Sequence, residues 1–145
     1  AGRCPQGLFN DLELWVEQVT AATGNQAVNV TYLDQAGVSS STGAVGIGAA
    51  PTVGRCWQLP LASADSGVQQ INSVIGSVAT AGTFNVMVLR PLDSARIQVA
   101  NAQELHDVIA TGFPDAYQSS ALYCLVCPDG TSSGLPDCEF DIVSG

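Results

Sequence analysis

The sequence predicts an α+β fold: one domain over residues 1–145, with three helices packed on a mostly antiparallel sheet in a helix–strand–strand rhythm. Three observations predict it. Apolar residues recur at helical spacing in three stretches, each opened by a capping residue. A segment rich in β-branched and aromatic residues follows each stretch closely. Turn residues then lead to a second β-rich segment, and such short helix-to-strand connections favour helices laid on an antiparallel sheet.

The first helix is expected from Asn10, with Glu13 in the capping-box position and Phe9 and Leu14 placed as a hydrophobic staple. Leu12, Trp15, Val16, Val19 and Ala22 form its stripe, and Gly24 stops it. The second starts near Ser66, with Gln69 as its capping partner, and buries Val68, Ile71, Val74, Ile75 and Val78 before Gly82. The third starts at Asn101 with Glu104, buries Ala102, Leu105, Val108 and Ile109, and stops at Gly112 before Pro114.

Strands are expected at Ala27–Leu33, where Val28, Val30 and Tyr32 alternate with polar residues, and at Thr83–Leu89, where Phe84, Val86 and Val88 share a face. Ala121–Val126 is apolar enough for a strand buried on both sides. Turns follow at Asp34-Gln35-Ala36-Gly37, Pro91-Leu92-Asp93-Ser94 and Pro128-Asp129-Gly130. Second strands are then expected within Ala44–Leu59, at Ala95–Val99 and at Glu139–Val143. Residues 39–53, with Gly43, Gly46 and Gly48, read as a flexible or partner-ordered arm.

Composition bounds the function. Only 12% of the chain is charged, against about 25% in ordinary soluble domains. Hydrophobic residues make up 46%, and lysine is absent, the cations being Arg3, Arg55, Arg90 and Arg96. A GC-rich genome explains missing lysine equally well. The net charge of −9 argues against nucleic acid and anionic membrane surfaces, which both attract cations. No apolar run reaches the roughly 18–20 residues that span a bilayer, and Ala44–Val53 is broken by Gly46, Gly48 and Pro51. The N-terminus lacks the charged-then-apolar pattern of a signal peptide, and Ala1 suits either a removed initiator methionine or a cleaved secretory precursor.

The five cysteines are Cys4, Cys56, Cys124, Cys127 and Cys138. Cys124 and Cys127 have zinc-knuckle spacing, with Cys138 and then Cys4, Cys56 or His106 available to complete a tetrahedron. Against zinc, no second CxxC is present, and positions three apart on a strand point to opposite faces. A thioredoxin-type role would need the pair at a helix N-terminus, and here it ends a strand. The economical reading is a disulfide between Cys127 and Cys138 across the polar loop between them, contributing about 2–3 kcal/mol. A weaker candidate bridge joins Cys4 to Cys56, leaving Cys124 as a small buried hydrophobe. A fully reduced chain competes equally with either bridge.

His106 lies near Glu104 and Asp107, which makes a catalytic dyad conceivable, but on a helix it falls on the polar face and reads as a solvated surface residue. No serine sits in a nucleophile elbow, and no phosphate-cradling loop is present. Asp137, Glu139 and Asp141 could ligate calcium, yet on a final strand they serve better as charges that protect an edge.

The expected function is therefore non-enzymatic and cofactor-free: a structural assembly subunit that packs against copies of itself and a larger protein scaffold. Size and composition suggest a virion component such as a bacteriophage capsid decoration, cement or head–tail protein. The alternatives are a secreted or periplasmic binding domain braced by disulfides, and a small zinc protein or enzyme centred on Cys124, Cys127 and Cys138.

Overall fold

The computed structural model describes residues 7–49, 53–78, 81–96, 103–107, 112 and 120–126. The chain divides into two compact units, Ala1–Leu92 and Asp93–Gly145. Among the described residues the first unit is built of strands alone: β1 Glu13–Thr20, β2 Asn25–Asp34, β3 Ser39–Ser41, β4 Val45–Ala49, β5 Cys56–Leu59, β6 Val68–Gly76 and β7 Thr83–Leu89. They form two antiparallel sheets. One has the order β5-β1-β7, and in the other β2 is flanked by β3 and β4 on one edge and by β6 on the other.

The expected α+β class, with three helices on a sheet, is overturned: the described residues contain no α-helix and therefore none long and apolar enough to cross a membrane. The first expected helix is β1. Leu14, Val16 and Gln18 point inward and are buried, whereas Glu13, Trp15 and Glu17 face outward. The true period is two, and polar Gln18 at the third inward position disguised it. Gln18 is buried there because its Nε2 donates to Thr20 O (2.7 Å) and Thr83 O (3.1 Å). Asn10 caps nothing; it bridges Gly67, and its Oδ1 is 2.9 Å from Ser66 Oγ.

The second expected helix is β6, and its helix-like spacing has a specific cause. Asp34, Tyr32, Val30 and Val28 on β2 face Val68, Ile71, Val74 and Gly76. Two bulges on β6 turn the strand period of two into steps of three, from 68 to 71 and from 71 to 74. Steps of three are what an amphipathic helix also shows. Ser66 and Gln69 do not form a capping box either. Both instead bind Gln35, through Ser66 N to its Oε1 (2.9 Å) and Gln69 Nε2 to its backbone O (3.1 Å).

The third expected helix is absent where the chain is described: residues 103–107 are irregular, and Leu105 is 95% exposed. Ala121–Val126 forms no strand, and its Leu122, Tyr123 and Val126 are exposed. The expected strands at Ala27–Leu33 and Thr83–Leu89 correspond to β2 and β7, and Ala44–Leu59 holds β4 and β5. Residues 39–53, read as an arm, supply β3 and β4 to the edge of β2. The expected strand at Glu139–Val143 lies outside the described residues.

The hairpin from β2 to β3 rests on the predicted turn. Asp34 Oδ1 accepts from Ala36 N and Val38 N, both at 2.8 Å, and Gly37 takes a φ of 80° that only glycine adopts without strain. The two sheets face each other across one apolar core. Leu14, Val16 and Leu59 come from the first sheet and Val28, Val30, Tyr32, Ile47 and Val68 from the second, with Phe9, Trp57, Ile71, Phe84 and Val86 packed at the margin.

Candidate functional site

The cysteines expected to carry bridges are only partly within view. Cys56 lies half-buried on β5 opposite Glu17, its Sγ 3.9 Å from Gly54 O. Cys124, expected to be buried in a strand, is exposed on irregular chain. Cys4, Cys127 and Cys138 lie outside the described residues, and with them both expected bridges and the acidic trio Asp137, Glu139 and Asp141. Among the described residues no three His, Cys, Asp or Glu side chains come together around a metal-sized space.

In the second unit His106 stands off a helix face and in a clasp. Its Nδ1 hydrogen-bonds Asp93 Oδ2, and its Nε2 lies 3.6 Å from Glu104 Oε1. The Asp93 hydrogen bond raises the imidazole pKa above its ordinary value, with Glu104 adding to it. The same bond holds the Asp93 carboxyl low, helped by Ser94 N donating to Oδ1 at 2.7 Å. A carboxylate near each nitrogen favours the protonated ring. The arrangement pins one stretch of chain to another.

Sequence reasoning missed a second cluster, at one end of the sandwich. The Tyr32 hydroxyl donates to Asp65 Oδ2 at 2.6 Å and accepts from Ala62 N at 2.9 Å. Burial raises the Tyr32 pKa, and hydrogen bonds from Ser40 and Tyr32 lower that of Asp65. Asp65 also lines a shallow open groove with Asp11, Glu13 and Ser66. These bonds fasten the β5–β6 connection to β2. In sequence the only hint was the alternation that turns Tyr32 inward.

The most unusual surfaces are at the strands β6 and β7, one in each sheet. Val74 shares the inward face of its sheet with Val30, and Val88 shares that of the other sheet with Leu14. Val30 and Leu14 are fully buried, yet Val74 and Val88 are each 39% exposed. Neighbouring Ile75 and Val78 on the outer surface are exposed as well. The inward face of each sheet thus runs out to solvent at one of these strands.

The four edges of the sandwich differ in their defences. The β3–β4 edge is broken at Thr42–Ala44, where Thr42 Oγ1 takes the place of a backbone acceptor for Val30 N. The β5 edge is four residues long and entered through Arg55, whose guanidinium lies 5.3 Å from the Trp57 ring centroid. Edge strands are ordinarily kept from pairing by such breaks, shortness and charge. By contrast β6 and β7, each paired on one side only among the described residues, run for nine and seven residues, and like the β3–β4 edge they carry no charge, none occurring between Asp65 and Arg90. That uncharged run was legible in the sequence, but its meaning depends on both strands being edges.

No family model, no curated protein and no solved structure matches this chain.

Proposed function

We propose that the chain is a structural assembly subunit that works by packing against copies of itself and against a larger protein scaffold. The observation that carries this reading is the pair of strands β6 and β7, where Val74 and Val88 belong to the core by orientation but lie open to solvent on long, charge-free strands that are edges among the described residues. Contiguous exposed apolar surface on a folded protein marks a place where another surface docks. The small supply of charge elsewhere supports the same reading. The fold adds nothing to the virion and capsid side of the composition argument, and the assembly is taken simply as protein–protein packing. The disulfide-braced alternative turns on Cys4, Cys127 and Cys138 and gains no support from the described residues.

Sedimentation velocity across a concentration series from the low micromolar range tests the proposal. The expected result is a closed oligomer that dissociates on dilution. A single monomeric species at every concentration, in purified protein with or without reductant, overturns self-packing.

A further inference from the structure

Resting on that reading, we infer that the occupant of the open edge of β6 is a second copy of this chain, and that the contact is antiparallel pairing of the Ser73–Ser77 part of β6 with itself about a twofold axis.

The backbone of β6 is oriented for this. Ser77 N donates to Ala27 O at 2.8 Å, so Ser77 presents its polar backbone groups to β2. By the alternation of an antiparallel ladder, Ile75 and Ser73, opposite Asn29 and Thr31, do the same. Val30 looks the other way: its O accepts from Thr42 N at 3.0 Å, on the β3–β4 side. Val74, opposite Val30, and Gly76, opposite Val28, therefore turn their N–H and C=O groups to the open edge. The bulges of β6 lie further back, before Ser73, and leave this half regular.

Charge and symmetry select the partner. The chain carries a net charge of −9, so two copies repel each other over most of their surfaces. The two longest uncharged runs let copies meet without bringing carboxylates together, Gln35–Gly54 and the longer Ser66–Leu89; the first carries β3 and β4, whose edge is already broken at Thr42–Ala44, and the second carries β6 and β7. The second run also offers no charge by which an acidic or basic partner would be recognised. Antiparallel self-pairing of one strand is isologous and closes after two copies.

The side chains fix the register. With Ile75 opposite Ile75 of the second copy, Val74 faces Gly76 of that copy and each such pair exchanges both of its hydrogen bonds. The Ile75 pair is then a non-hydrogen-bonded one, the kind that brings side chains closest. This covers the most exposed apolar side chain of β6, at 59%. Val74 meets a residue with no side chain to obstruct it. The second sheet then continues across the axis, and its inward face bearing Val74 extends from one copy to the other.

Amide hydrogen exchange on the whole chain, read at residue resolution over a dilution series, tests the pairing alongside two variants. The amides of Val74 and Gly76 are expected to be protected in the oligomer and to lose that protection on dilution. Ile75→Glu sets two carboxylates opposite each other on an already exposed position and should weaken association by on the order of tenfold or more. Val74→Pro removes an edge-facing N–H while leaving the β2 ladder intact, and should give a folded monomer. If the chain is oligomeric while both amides exchange freely, the β6 pairing is wrong although self-packing stands. Protection that persists undiminished in a monomer also overturns it, because the edge is then covered from within the chain. A monomer with unprotected amides at every concentration removes the assembly reading and the pairing together.

Discussion

Tyr32 on β2 and Asp65 in the β5–β6 connection are joined by a 2.6 Å hydrogen bond, and the same phenol oxygen receives the backbone N–H of Ala62. One buried side chain thus orders a loop that follows it by some thirty positions in sequence. Tyr32→Phe keeps the ring and removes both bonds. The expected loss is about 1 kcal/mol for the Ala62 bond alone, seen as a lower urea midpoint at unchanged slope. A variant as stable as the parent would show that the loop is held by other means.

Leu14→Ala should open a cavity between the sheets and cost about 2–5 kcal/mol, since Leu14 is fully buried in the shared core. Leu105→Ala, at an almost fully exposed site, should change stability by less than about 0.5 kcal/mol. Chemical denaturation of both variants checks the contrast. Reversed magnitudes would contradict the strand assignment of residues 13–20.

Gly67 is needed for a reason unrelated to turns. A Cβ there would collide with the backbone of Phe9 and come within 2.9 Å of Asn10 Cα, where Asp11 N already donates to Ser66 O at 2.7 Å. The obstacle is main chain, which cannot step aside as a side chain does. Gly67→Ala should destabilise by about 1–3 kcal/mol, measured as a fall in melting temperature.

His106 is the sole histidine, so its ring resonances identify themselves in a proton NMR titration. Its pKa should lie above the ordinary 6.5, because Asp93 favours the protonated ring, and Asp93→Asn should bring it down. The sign of the stability effect follows. The histidine contribution is present in full below its unfolded pKa and is lost as pH rises through the raised folded value. Asp93, held below 3.8, contributes above its own unfolded value and loses that contribution as pH falls through its lowered one. The clasp is strongest between those limits.

Strands with unbroken alternation were readable in the sequence, and β2 and β7 are the examples. Val28, Val30 and Tyr32, then Phe84, Val86 and Val88, carry a period of two with nothing to disturb it. Two strands were misread for distinct physical reasons. In β1 a buried glutamine, its Nε2 held by the carbonyls of Thr20 and Thr83 and its Oε1 without a partner among the described residues, interrupts the apolar series. In β6 the bulges shift the spacing to three, and no local property separates that from a helix turn. The polar residues that resembled helix caps, Asn10 and Ser66, bond to each other across a long sequence separation. The open edges were legible only as a composition: the uncharged run between Asp65 and Arg90 is visible at once, but topology makes its two strands the edges of two sheets.

The central position of β1 has a consequence for how this protein is made. Its partners, Cys56–Leu59 and Thr83–Leu89, are synthesised long after it, whereas β2 finds Ser39–Ser41 almost at once through the Asp34 turn. At about 5–20 residues per second, β1 waits several seconds on the ribosome for β7 to emerge. During that interval Leu14, Val16 and the bare backbone of the strand are exposed together, so the nascent chain is most vulnerable to stray pairing just before Leu89 leaves the exit tunnel. A stall introduced while Leu89 is still inside the exit tunnel should raise aggregation of the product, and the same stall once Leu89 has emerged should not.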